Sequence, residues 1–296
     1  MKERRKRNMS RTGLLFMFCL LMLCGCAQIT GFMENTEVSG REVESLAAEK
    51  EDDTVLLGGM PVGIYMETDG VLVLDTEKMT GMDGKEYTPA QGVVSSGDYI
   101  TEVNHQKIEG KKQLMDLVEH LDGEKVLLTV RRENTILEKK LTPVQISKGN
   151  YRLGIWVRDN VQGLGTITFL TKNNRFAALG HGIHDIDTST LLTIKRGTLY
   201  RTSIQKVQKG SKGNPGTMEG IIVYNRFHRL GVIEKNTDAG IYGELNSDRS
   251  WIGEEVPIQV AKKEEIKTGE ARIRCYIDGE VKEYTICITQ IDKESD

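Results

Sequence analysis

Apolar residues in this chain come in short bursts separated by glycines and polar turns, and the rhythm changes twice. Leu14 to Leu23 is continuously apolar. Lys111 to Leu121 places Leu114, Leu117, Val118 and Leu121 on one face at helical spacing. Elsewhere the bursts are of strand length. Gly70–Leu74, Tyr99–Val103, Lys125–Arg131 and Ile136–Leu141 predict strands in the first half, the last two joined through Glu133-Asn134. From Tyr151 onward the pattern is all-β: Tyr151–Val157, Gly165–Leu170, Arg175–Leu179, Leu191–Ile194, Ile221–Tyr224, Ile241–Leu245 and Val256–Val260. Strands at that spacing predict a barrel or sandwich. Asp278-Gly279 predicts a two-residue hairpin turn in which Cys275 faces Lys282.

Length and charge divide the chain further. Its 296 residues have room for about two domains. The net charge of −3 gives no case for a nucleic-acid partner. Six Lys/Arg against Glu3 give residues 1–26 a charge of +5, so the rest carries −8. A basic start, a short apolar run and Cys24-Gly25-Cys26-Ala27 predict an export signal or membrane anchor over residues 1–27. Leu23-Cys24-Gly25-Cys26 resembles a bacterial lipoprotein cleavage box, with Cys26 as the lipidated residue. Residues 28–54 are polar and acidic and predict a linker, with a short helix around Glu42–Lys50. The chain is thus expected outside the cytoplasm, held to a membrane by its N-terminus. Cys275 and Cys287 fall too far apart along the predicted hairpin for a disulfide between them.

The most concentrated chemistry is Ala178-Leu179-Gly180-His181-Gly182-Ile183-His184-Asp185-Ile186-Asp187-Thr188. An apolar run delivers His181 into a turn between two glycines, with carboxylates close behind. Three functions compete on the residues alone. His181 suits a general base, given a nucleophile and an orienting carboxylate. His181, His184, Asp185 and Asp187 are a candidate metal cluster, though without the spacing of known zinc sites. Asp185 and Asp187 also suit turn capping through side-chain to backbone hydrogen bonds. Lys209–Gly216 lacks the spacing of a phosphate loop and reads as a surface loop, and Asp238 in Asn236-Thr237-Asp238-Ala239-Gly240 reads as a turn residue.

Two resemblances follow from these stretches. Residues 55–146, with Gly58-Gly59-Met60-Pro61-Val62-Gly63-Ile64, Gly97-Asp98-Tyr99-Ile100-Thr101-Glu102-Val103-Asn104 and the helix after them, resemble a PDZ domain. That resemblance implies a peptide added as a strand, a partner's C-terminus or the chain's own N-terminal segment, at Gly59, Met60, Pro61, Val62, Gly63 and Ile64. Tyr151–Asp159, Gly163-Leu164-Gly165-Thr166, the histidine segment and Gly213-Asn214-Pro215-Gly216 resemble the stage IV sporulation protein B peptidase family. This implies a trypsin-like serine endopeptidase over residues 150–296, needing no cofactor and no metal. His181 would be its catalytic histidine. Its expected partner is a membrane-bound regulator, cleaved in the space between forespore and mother cell to activate a mother-cell sigma factor. The expected fold is mostly β: signal or anchor, small α/β PDZ-like domain, then a trypsin-like barrel that is C-terminally incomplete. The family's nucleophile lies on a Gly-x-Ser-Gly turn, and these 296 residues contain none. The resemblance therefore implies a chain truncated before its serine and inactive as it stands. The rival expectation is a non-catalytic pseudo-peptidase that binds a membrane partner.

Overall fold

A computed structural model describes residues 54–277 and 279–292. The signal, linker, short helix and Cys26 expectations lie outside the described residues. In chain order, β1 (Thr54–Leu57) and β2 (Pro61–Thr76) lead into the small pair β3 (Met79–Thr80) and β4 (Glu86–Tyr87). Then come β5 (Tyr99–Val103), β6 (Gln106–Lys107), helix α1 (Lys111–Glu119), and strands β7 (Val126–Arg132), β8 (Thr135–Leu141), β9 (Val144–Ser147) and β10 (Asn150–Arg152). The second half holds β11 (Ile155–Leu170), β12 (Arg175–Ala178), β13 (Ile194–Tyr200), β14 (Thr202–Gln208) and β15 (Thr217–Ile222). It closes with β16 (Arg229–Thr237), β17 (Gly240–Leu245), β18 (Pro257–Gln259), β19 (Gly269–Ile277) and β20 (Glu280–Ile288). The chain is mostly β, as expected.

The hydrogen-bonded neighbours close on themselves. β2 pairs with β11, β11 with β12, β12 with β17, β17 with β16, β16 with β13, and β13 again with β2, every pair antiparallel. Closure removes the edges that a six-stranded open sheet would expose. Alternate residues fill the interior, as a period of two demands. Val62, Ile64 and Met66 enter from β2, Ile167 and Leu170 from β11, and Phe176 and Ala178 from β12. Leu199, Leu230, Ile233, Ile241 and Leu245 complete the packing from the other three strands.

An α/β lobe grows out of the same wall. Beyond the ring, β2 pairs with β5, β5 with β7 and β7 with β8. Val71, Val73, Ile100, Val103, Leu128 and Val130 form its core with Leu114 of α1. α1 begins at Gly110, which offers no side-chain cap. Asp159 of β11 supplies one from outside, its Oδ2 accepting from the Lys111 amide at 2.7 Å. A carboxylate there also meets the positive end of the helix dipole.

The predicted domain boundary is corrected by two long strands. β2 and β11 each run 16 residues and serve both lobes. Pro61–Glu67 line up against Asn160–Thr166 in the ring, whereas Leu72–Thr76 pair with Ile155–Arg158 in the lobe. Neither 55–146 nor 150–296 is therefore a separate unit. The lobe needs the start of β11, and the ring needs the start of β2. β11 was also expected as two strands, because Arg158-Asp159-Asn160 interrupts the apolar pattern. Register shifts occur at that point, between Trp156 and Val157 and between Arg158 and Asn160, where the strand passes from one core to the other.

The predicted peptide loop is corrected too. Met60, Val62 and Ile64 are buried in the ring. Gly63 and Ile64 are paired on both flanks, with Leu164 and Gly163 on one side and Tyr200 and Leu199 on the other. The Gly59 amide donates to Ile167 O at 2.8 Å. Gly63 and Ile64, committed on both flanks, cannot receive an added strand.

At the C-terminal end, β19 and β20 form the expected hairpin with Cys275 opposite Lys282. Cys275 and Cys287 are both free. Ile258, Val260, Ile266, Ile273 and Ile286 are exposed in this last part. No helix among the described residues is long and apolar enough to cross a membrane.

Candidate active site

β12 ends at Ala178 inside the ring, and the chain then leaves the wall through two consecutive left-handed residues, Leu179 at φ 76° and Gly180 at φ 84°. The second is a glycine, for which this costs little; the leucine is held there by its amide, which donates to Thr166 O at 3.0 Å. This reversal throws His181 out of the barrel end onto an exposed position.

The turn between β16 and β17 is the platform beneath it. The Gly182 amide donates to Asp238 O at 3.0 Å. A Cβ at Gly182 would sit 2.5 Å from Thr237 O, so only glycine allows the two backbones this close. The side-chain amide of Asn236 fastens the next residue. Its Oδ1 accepts from Ile183 N at 2.9 Å, and its Nδ2 donates to Ile183 O at 2.9 Å and to Leu192 O at 3.0 Å.

The far side of the loop is held by the α/β lobe. Tyr99 Oη accepts from Thr193 N at 3.2 Å. Leu192 is buried with Leu72 and Tyr99, and Ile183 packs against them. The Arg131 guanidinium lies over the Tyr99 ring, 4.3 Å from its centroid.

His181 Nδ1 lies 2.9 Å from Gly182 O. A carbonyl oxygen can only accept, so Nδ1 must carry the proton in this contact. In the neutral ring the lone pair is then on Nε2. That is the state a general base needs.

The two following carboxylates do other work. Asp185 is buried, and its Oδ1 accepts from the amides of Asp187 and Thr188, both at 3.0 Å. Its Oδ2 is bonded by Arg158 Nη1, while Arg158 Nη2 reaches Asp187 Oδ2 at 2.8 Å. Asp185 is thus the turn cap, and Asp187 is the exposed second acceptor for the same arginine. A cation from β11 already sits between the carboxylates of the proposed metal cluster. No group of three or more His, Cys, Asp or Glu side chains is placed to hold a metal among the described residues. His184 approaches the same carbonyl from further off, with Nδ1 3.3 Å from Gly182 O and Nε2 3.8 Å from the exposed Asp238.

Of the residues expected in the site, His181 stands at its centre, and Gly59–Ile64 belong to the barrel wall. Asn236 and Arg158 were not among the expected residues. A polar amide at the end of an apolar strand was the available signal for Asn236. For Arg158 it was a charge pair breaking a strand pattern.

One similar protein, from Helicobacter pylori, carries the name "Putative zinc metalloprotease"; it is 28% identical over 180 residues, covering 53% of this chain and 50% of that protein. The chain thus spans about half the length of this curated relative. The profile of the SpoIVB peptidase S55 family matches residues 149–296, half of the sequence and all of the loop that presents His181, and the chain belongs to that family.

Proposed function

We propose that this chain carries the general base of an exported, membrane-tethered serine endopeptidase, with His181 Nε2 as the proton acceptor. The observation behind this reading is the Nδ1 contact to Gly182 O, which leaves Nε2 free to take a proton from an attacking hydroxyl. Here a backbone carbonyl does the orienting that a buried aspartate does in a triad. The substrate is a membrane-bound regulator, cleaved in the signalling that activates a mother-cell sigma factor during sporulation. The N-terminal signal and Cys26 hold the enzyme at the same membrane surface.

The α/β lobe takes a peptide partner, either a C-terminus or the chain's own N-terminal segment. Among the described residues, Ile155–Arg158 of β11 pair only with β2 on one edge, and α1 packs alongside. That open edge is a better place for an added strand than Gly59–Ile64.

The test is labelling by a serine-directed fluorophosphonate, applied to the protein in the length the cell makes it. Labelling that His181→Ala abolishes supports the base assignment. Labelling unaffected by His181→Ala overturns it. A protein that binds peptide but never labels is the non-catalytic pseudo-peptidase. Peptide cleavage that a chelator stops and a phosphonate does not would support metal-dependent hydrolysis, the activity in the name of the Helicobacter relative.

A further inference from the structure

We propose that Asn236 is a positioning residue that sets the orientation of the His181 ring through the Gly182–Ile183 backbone. The inference rests on the reading of His181 as a base.

The loop between β12 and β13 has bonds of its own: Leu192 N donates to Ile183 O at 3.1 Å, Asp185 N to Thr190 O at 2.9 Å and Ser189 N to Asp185 O at 2.8 Å. Its only named pairing among the described residues is the single bridge between His184 and Leu191. None of these bonds involves the Ile183 amide, and the loop leaves the barrel through two left-handed residues, so its first turn is placed by outside contacts. Asn236 provides three of these with one side chain. It binds both the N–H and the C=O of Ile183, as a neighbouring strand would, and it ties Ile183 to Leu192 on the returning arm.

The consequence for His181 passes through one peptide unit. The carbonyl that holds His181 Nδ1 belongs to Gly182, and the amide on the other side of that peptide unit is Ile183 N. Fixing Ile183 N on Asn236 Oδ1 fixes the plane of the peptide and hence the direction of the Gly182 carbonyl. That direction decides which ring nitrogen is protonated and where Nε2 points. Asp238 O holds Gly182 at its own amide, so the two contacts bracket the unit.

The geometry also selects the residue type. The site needs one acceptor and two donors on a short side chain, and a primary amide supplies them. Aspartate keeps the acceptor and loses both donors, turning a carboxylate toward the carbonyls of Ile183 and Leu192. Alanine loses all three bonds. The backbone of Asn236 is paired with Ile241 independently of its side chain, so the barrel does not rely on the amide.

The experiment compares the full chain with Asn236→Ala and Asn236→Asp, reading amide hydrogen exchange and the ¹⁵N shifts of the His181 ring. In Asn236→Ala the Ile183 amide should exchange roughly tenfold faster or more, while Met66 and Leu199 in the barrel keep their protection. The His181 ring nitrogens should move from the Nδ1–H pattern toward an averaged one. Asn236→Asp should fall between the two at Ile183, because its acceptor remains. Unchanged Ile183 exchange and unchanged ring shifts in Asn236→Ala would overturn the proposal. So would exchange that rises equally at Met66 and Leu199, since that marks a residue of general stability. If Asn236→Ala does not fold, Asn236→Leu, of similar size and without donor or acceptor, decides: wild-type Ile183 exchange and His181 shifts there overturn the proposal. Neither readout requires catalysis, so a failure of the base assignment appears only in the phosphonate experiment.

Discussion

Arg158 and Asp185, 27 residues apart in sequence, form an ion pair in which the carboxylate is buried and the guanidinium is partly open to solvent. The pair fastens the first part of β11 to the loop that presents His181. Removing one partner of a buried pair leaves an uncompensated charge, which usually costs about 3–5 kcal/mol. Two backbone amides remain on Asp185, so Arg158→Ala is expected at the lower end, about 3 kcal/mol. Urea denaturation measures it. The double variant Arg158→Ala with Asp185→Asn should recover part of the loss, because no buried charge then stands alone.

The family-matched region, residues 149–296, should not fold when made alone. It lacks β1 and β2, and β2 stands between β11 and β13 in the ring. Without it Val62, Ile64 and Met66 leave the core and two strand edges open. Dispersed amide proton shifts and a cooperative melt are expected only when residues 54–76 are restored, in the same chain or as an added peptide.

Gly182→Ala should separate site geometry from barrel stability. The new methyl would lie 2.5 Å from Thr237 O, so the loop must move away from the β16–β17 turn. Overpacking of this kind costs roughly 1–3 kcal/mol. The expected result is a barrel that still melts cooperatively, with His181-dependent phosphonate labelling of the protein in the length the cell makes it reduced at least about tenfold.

One pH effect can be assigned a sign. Lys195, beside Glu109 across the two lobes, holds the Glu109 carboxyl below the ordinary glutamate value, chiefly by direct hydrogen bonding. A depressed carboxylate favours folding at pH above its unfolded pKa and loses that contribution as pH falls through the folded value. The group is exposed, so the effect on stability is small. In Lys195→Met the Glu109 midpoint, followed by carboxyl ¹³C shifts, should rise toward the ordinary value.

Local chemistry was readable from the chain; long-range pairing was not. α1, the β7–β8 hairpin and the Cys275–Lys282 register follow from spacing and turn residues a few positions apart. His181 stood out by residue type and flanking glycines. β2 and β11 did not read as single strands, because Glu67–Gly70 and Arg158–Asn160 are polar where each strand passes between two cores. Asn236 escaped notice because the groups it binds on Ile183 are 53 residues away. Hydrophobic periodicity reports which face is buried and carries nothing about a polar partner at that distance.

The shared strands have a mechanical consequence. At about 3.3 Å per residue, β2 and β11 are girders on the order of 50 Å long, bonded side by side through both lobes. Lobes joined by a linker can swing; lobes cut from the same pair of strands can only twist together. A load placed on the α/β lobe therefore reaches the barrel as shear along β11. Arg158 lies along that line, bonded to the loop from which His181 projects.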